Sequence, residues 1–284
     1  MQSWKIGDVR ITRLQEQQPV WPGTMITANA TVDAIKGERE WLAPFIDDSG
    51  KILLSIHALL VESEGRRIIV DTCVGNDKPR PNFKDFNMLH TPFLADLEKA
   101  GVSRDSVDTV VCTHLHLDHV GWNTMLVNGR WQPTFPKARY MMCEREWEHW
   151  SKFDGLADFK LPIDDSVRPV IEAGQAELVE PGRRLTGEVW LEPTPGHTPG
   201  HTSVRISSRG ENAVITGDMI HHPIQVAHPE WVCEFDTDPA MASDTRRKFV
   251  ERYCDQPVHV IGTHFAGPTS GHIVRRGGKF VFEK

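Results

Sequence analysis

Three imidazoles and a carboxylate crowd into one short stretch, Thr113-His114-Leu115-His116-Leu117-Asp118-His119. Imidazole nitrogen and carboxylate oxygen are the ligand types that zinc and its first-row neighbours take. A single histidine in an apolar run is more often a hydrogen-bonded core residue. Three within six positions, with an aspartate among them, reverse that reading. At the end of a strand, His114 and His116 can point one way while Asp118 and His119 point to an adjacent spot, which suits two metal ions side by side. The element that positions them is the run 107–112, Val-Asp-Thr-Val-Val-Cys, short and β-branched enough to be a buried strand.

Further candidates follow downstream. His197 sits in Thr194-Pro195-Gly196-His197-Thr198-Pro199-Gly200-His201, Asp218 closes Ala213-Val-Ile-Thr-Gly-Asp, and His264 closes Val258-His-Val-Ile-Gly-Thr-His. Together with His114-x-His116-x-Asp118-His119, these stretches resemble, in order, the signature of the metallo-β-lactamase fold superfamily, and the likeness runs over nearly the whole chain. It implies a four-layer αββα sandwich. It also implies a ligand set, with His114, His116 and His197 on a first ion, Asp118, His119 and His264 on a second, and Asp218 between them. Two divalent transition-metal ions are therefore expected, zinc first, with manganese, iron or cobalt as alternatives. Asp71, in a Val-Asp-Thr motif, is by the same resemblance the carboxylate behind a ligand histidine.

The implied activity is metal-assisted hydrolysis, with a hydroxide shared between the ions attacking a lactone or ester carbonyl and Asp118 orienting it and handing on a proton. Asp218 argues against β-lactam cleavage, because β-lactam-cleaving members typically lack a bridging aspartate there. The stretch after it, Met-Ile-His-His-Pro-Ile-Gln, with Phe235-Asp-Thr-Asp-Pro, is similar to the methyl parathion hydrolase and acyl-homoserine-lactone lactonase branch. A phosphotriester hydrolase and a glyoxalase-II-like thioesterase are the alternatives. The basic residues that a glutathione carboxylate needs are not evident. An iron-dependent oxidoreductase of the same fold and a non-catalytic binding protein are the readings from other classes. His221, three residues past Asp218, departs from the tyrosine of many lactonases. Its N–H is expected to donate to the substrate oxygen as charge develops. Which of His221 and His222 faces the centre stays open.

Motifs spread from 114 to 264 must converge on one centre, so residues 1–284 are expected to form one domain. With 39% hydrophobic and 25% charged residues the composition is that of a soluble globular protein. A net charge of −7 and only isolated basic pairs or triplets disfavour nucleic acid as a partner. No run approaches transmembrane length and no basic-then-apolar leader opens the chain. The odd number of cysteines, five without close pairing, reads as reduced thiols and a cytoplasmic protein.

Between the motifs, residues 4–14, 52–61, 67–70, 139–143, 189–192, 202–207, 213–216 and 258–261 read as strands. A terminal hairpin over 273–282 turns at Gly277-Gly278. Helices are expected over 91–100, with Thr91 as N-cap, over 144–153, and over 239–254, with Asp238 as N-cap. Trp147 and Trp150 are expected to pack in the core. Residues 15–50 and 75–90 are expected as irregular loops rich in aromatics and proline that rim the site. The first of them also suits a homodimer interface. Residues 154–169 read as a polar connector. The aromatics in the two loops fit a fairly hydrophobic small-molecule substrate.

Overall fold

The computed structural model describes residues 1–284. Seven strands form one sheet in the spatial order Ser3–Ile6, Val9–Gln17, Ile56–Ser63, Arg66–Val70, Thr109–Cys112, Arg139–Cys143, Ala176–Val179. Six form the other, in the order Val189–Pro193, Thr202–Ser208, Glu211–Ile215, Val258–Ile261, Ser270–Arg276, Lys279–Glu283.

Side-chain alternation along these strands builds the layers. Leu59, Val61, Ile68, Val70 and Val111 of the first sheet meet Val204, Ile206, Ala213, Ile215 and Ile261 of the second in one buried cluster. The intervening Leu60, Ile69, Val110 and Cys112 face the other way, against Phe93, Leu97, Trp150 and Val167 from the helical segments. Val214 and Val260 likewise face Phe249, Val250 and Tyr253 of the helix Pro239–Tyr253. Strands buried on both faces must be apolar at nearly every position, as Thr109–Cys112 is. Each buried aliphatic side chain contributes about 1.5–3 kcal/mol. The result is the helix–sheet–sheet–helix stack that the resemblance implies.

Topology then places the chemistry. Arg66–Val70 runs parallel to Thr109–Cys112, and Glu211–Ile215 runs parallel to Val258–Ile261. All four carboxyl ends therefore open on one edge of the sandwich, where an open α/β sheet offers its ligand crevice. Asp71, the 113–119 stretch, Asp218 and His264 each follow one of these ends. The sheets are tied together there, since Thr202 N–H donates to Thr113 O at 3.0 Å.

Several expected elements differ. Residues 15–50 are not irregular throughout. The second strand continues to Gln17, and Val32–Gly37 and Arg39–Leu42 are helices, with Ile35, Leu42 and Phe45 buried in the second outer core. The helix expected from Thr91 begins at Phe93, with Pro92 at the N-cap, because the Thr91 hydroxyl donates to Glu16 instead. The supposed connector 154–169 is helical, as Ala157–Pro162 continuing through a π-turn at Ile163–Val167 into Arg168–Glu172. Its buried positions, among them Asp158, Pro162, Ile163, Asp165 and Val167, include two acids and a proline, which hides the helical period. The edge strand Ala176–Val179 and the hairpin of Thr124–Val127 with Arg130–Pro133 were not foreseen. The strand expected over 213–216 ends at Ile215, and Asp218 lies in a 3-10 turn, Gly217–Met219. Gly217 has φ +58°, and a Cβ there would lie 2.4 Å from His201 Nε2, so the turn requires glycine. Asp238 caps its helix as expected, accepting from Met241 N–H.

Candidate metal centre

The seven residues singled out as ligands come together. Within groups whose donor atoms lie within 4.8 Å of one another stand His114, His116 and His197; His114, His119 and Asp218; and Asp118, His119 and His264. A fourth group joins His197 and Asp218 to His221. His221 is the inward member of its pair, its Nε2 3.3 Å from Asp218 Oδ2. His222 turns away and bonds Phe45 O at 2.9 Å.

Hydrogen bonds at the far side of each ring decide its tautomer. Asp71 Oδ2 accepts from His119 Nδ1 at 2.9 Å, and Ser55 O accepts from His264 Nδ1 at 3.1 Å. In the neutral rings both Nε2 atoms are therefore bare. They face each other at 3.2 Å, with Asp218 oxygens 3.2 Å from His119 and 3.0 Å from His264. Two lone pairs and a carboxylate converging in a buried space repel one another. A cation among them turns that repulsion into coordination. The other side repeats the pattern. Asp236 Oδ1 accepts from His197 Nδ1 at 2.9 Å, leaving a bare His197 Nε2 3.0 Å from His116 Nδ1. His114 Nε2 is buried with no hydrogen-bond partner. These residues fit divalent ions of the zinc type.

The surroundings are built to hold that array. Asp71 adopts a left-handed φ of +57° and also accepts from Thr113 N–H and the Thr113 hydroxyl, both at 2.8 Å. It stands behind a candidate ligand histidine, where the resemblance puts the Val-Asp-Thr carboxylate. Burial opposes the charge on Asp218, yet His119, His264 and His221 hold its carboxyl well below the usual range. Asp118 is the most exposed side chain of the seven, at 17%, and faces the cleft.

Three supporting residues were not assigned roles from sequence. His201 accepts from Asp218 N–H at 2.8 Å, and burial pushes its pKa down to about 3, which keeps it a neutral acceptor. Asp236 lies in a stretch noted only for its likeness to one branch. The buried Glu146 holds backbone on both sides of the centre. The repeated Pro-Gly-His of 195–201 was the available signal for His201; the other two carried none. Trp150 packs as expected for core, but against a ligand candidate, its ring 5.0 Å from His116.

A cleft stands over the centre. Its floor is His116, Asp118, His197, Asp218, His221 and His264, and its walls include Trp21, Phe83, Phe86, Phe159 and Phe235. No lysine or arginine lines it. The two expected rim segments both contribute, and Trp21 Nε1–H joins them by donating to Asp85 at 2.8 Å. All five cysteines are buried and unpaired, and no helix is long and apolar enough to cross a membrane.

The profile of the metallo-beta-lactamase superfamily matches residues 52–251. The chain belongs to that superfamily, as a hydrolase. An N-acyl homoserine lactonase from Bacillus sp. is 28% identical over 214 residues, covering 71% of this chain and 78% of its own. Among solved structures, AidC, a dizinc quorum-quenching lactonase crystallised with its product, superposes with a TM-score of 0.80 at 23% identity, over 99% of this chain and 96% of its own. The hydrolase AbOPH of the beta-lactamase superfamily gives 0.79 at 24% identity, over 99% and 97%. These two likenesses show the fold.

Proposed function

We propose that the protein is a dinuclear metal-dependent hydrolase that opens lactones or activated esters with an apolar acyl part. The observation that carries the reading is the pair of facing, bare Nε2 atoms of His119 and His264 with Asp218 between them and the His114, His116, His197 group beside it. His114, His116 and His197 would hold one ion, Asp118, His119 and His264 the other, and Asp218 both. Bound there, the ions would supply Lewis acidity and make hydroxide available at neutral pH.

The chain's own residues do the rest. The aromatic walls bind the acyl part and exclude water. Their lack of cationic side chains favours a neutral substrate over a glutathione thioester, whose carboxylates need partners. Asp118, reaching into the cleft, holds a proton and passes it to the leaving oxygen. His221 donates an N–H to the oxygen that gains charge. The convergence of His221 with His197 and Asp218 favours a second reading, in which His221 joins the ligand set. The same reading takes residues 1–284 as one domain, since side chains from 71 to 264 build one centre. Exposed Val20, Met25 and Val32 on the first rim segment suit a homodimer.

The test is a screen of metal-loaded protein against lactones of increasing chain length, aryl esters, a phosphotriester, a thioester and a β-lactam. Lactones or aryl esters should turn over fastest, with the phosphotriester slow. A penicillin or cephalosporin as best substrate would sink the reading of Asp218.

A further inference from the structure

Glu146 is fully buried in the helix Glu144–Trp150, and its carboxylate has no cationic partner. It spends its oxygens on three N–H groups instead. Oε2 accepts from Leu115 N at 3.2 Å and from Trp150 Nε1 at 2.9 Å, and Oε1 accepts from Gly200 N at 2.7 Å. A carboxylate without a counter-ion is expensive to bury, and three donors are what make it tolerable.

Those donors are not arbitrary parts of the backbone. Leu115 stands between His114 and His116, and Gly200 lies three residues past His197. Trp150 carries the indole that packs on the His116 ring. The loop comes close enough only because residue 200 is glycine, since a Cβ there would lie 2.8 Å from Glu146 N. The groups behind the opposite half of the centre are different ones: the Asp71 carboxylate holds His119 and the Ser55 backbone carbonyl holds His264.

We propose that Glu146 is a positioning residue for one half of the centre. It fixes the gap between the His114–His116 turn and the His197 loop, and its charge favours a cation in that half. The inference rests on the ligand assignment proposed above. A residue that only glued the helix to the sheet would affect both halves alike.

The experiment separates the halves before perturbing them. His264→Ala leaves the His114, His116, His197 half, and His116→Ala leaves the Asp118, His119, His264 half. Cobalt affinity of each is measured by chelator competition and by the visible absorbance of the bound ion. Glu146→Gln is then added to both. Glutamine has one acceptor oxygen where the carboxylate had two, so at least one clamped N–H meets an NH2 group. The expected result is an affinity loss of about tenfold or more in the His264→Ala background and less than about twofold in the other. If the glutamine variant does not fold, Trp150→Phe decides, because it keeps the ring and removes one N–H. It should lower affinity in the same background only, by a smaller factor. Equal losses in both backgrounds, or none in either, overturn the proposal. Wild-type protein that binds no cobalt overturns the ligand assignment and this inference with it.

Discussion

The floor of the cleft and its rim are made in opposite ways. The centre under the floor is polar, and three of its six histidine rings have a carboxylate or carbonyl behind them: Asp71 behind His119, the Ser55 carbonyl behind His264, Asp236 behind His197. It hangs from strand ends that cannot shift without disturbing both sheets. The rim is apolar and comes mainly from segments outside the two main sheets: the part of residues 15–50 around Trp21, residues 75–90, the helical stretch from Ala157, and Phe235. It is held by aromatic contacts such as Trp21 with Phe86 at 5.5 Å and Phe83 with Phe235 at 5.9 Å. The contrast teaches a division of labour. The chemistry depends on geometry fixed to tenths of an ångström, whereas the choice of substrate depends on surface that can be exchanged piecemeal.

If so, damage to the floor should abolish function and damage to the rim should redirect it. The largest effect is expected from Asp71→Ala, which strips acceptors from His119 Nδ1, Thr113 N and the Thr113 hydroxyl at once. Each buried donor left unpaired costs about 1–3 kcal/mol, and ion affinity at the His119 half should fall about 10–100-fold. Denaturant unfolding and cobalt titration measure the two, and wild-type affinity in this variant would break the comparison. His221→Phe should keep two ions and the fold yet lower kcat at least about tenfold, as loss of an oxyanion donor does. Tyrosine there should restore part of it on lactones. Loss of one ion from the Phe variant would instead make His221 a ligand.

On the rim, Phe83→Ala should lower kcat/KM for a long-chain or aryl substrate by about tenfold, leaving ion content and turnover of a small acetyl ester within about twofold. Equal losses on both substrates would mean that rim and floor are one unit. The smallest effect concerns Lys78, which anchors the second rim segment. Its ammonium is buried, bonded to the Thr124 hydroxyl and Asp165 O, close to the Asp165 carboxylate and Arg80, and burial lowers its pKa to about 7. Between pH 7 and the ordinary lysine range the unfolded chain holds the extra proton, so this group's contribution to stability rises with pH across that window. Below pH 7 its burial penalty is fully present. Lys78→Met leaves the Arg80–Asp165 pair intact and should be neutral or slightly stabilising at pH 6, with the gap narrowing by pH 10. A Tm several degrees lower at pH 6 would contradict this.

The same contrast governs what the sequence made legible. Floor residues announce themselves because ligand chemistry admits few residue types, and apolar β-branched runs mark the strands that deliver them. All seven ligand candidates are legible in the sequence, and the structure gathers them. The supports behind them were harder, since Glu146 and Asp236 are ordinary acidic residues until the chain folds around them. The rim was least legible. Residues 32–42 and 157–172 mix charge and proline with their buried positions, so their short helices carry no clear period. Thr91 has the residue type of an N-cap, but the half-buried Glu16, 75 residues away in sequence, takes its hydroxyl, and nothing local reveals that. His221 and His222 could be told apart only by the Phe45 carbonyl that draws the second one away.

The central claim is that the floor holds two ions and that both are needed for hydrolysis. Elemental analysis of purified, fully active protein, coupled to lactone turnover as ions are added back to chelated enzyme, tests it most directly. The account predicts close to two transition-metal ions per chain, with turnover reaching its maximum only as the second is bound. Full activity with one ion per chain would contradict it.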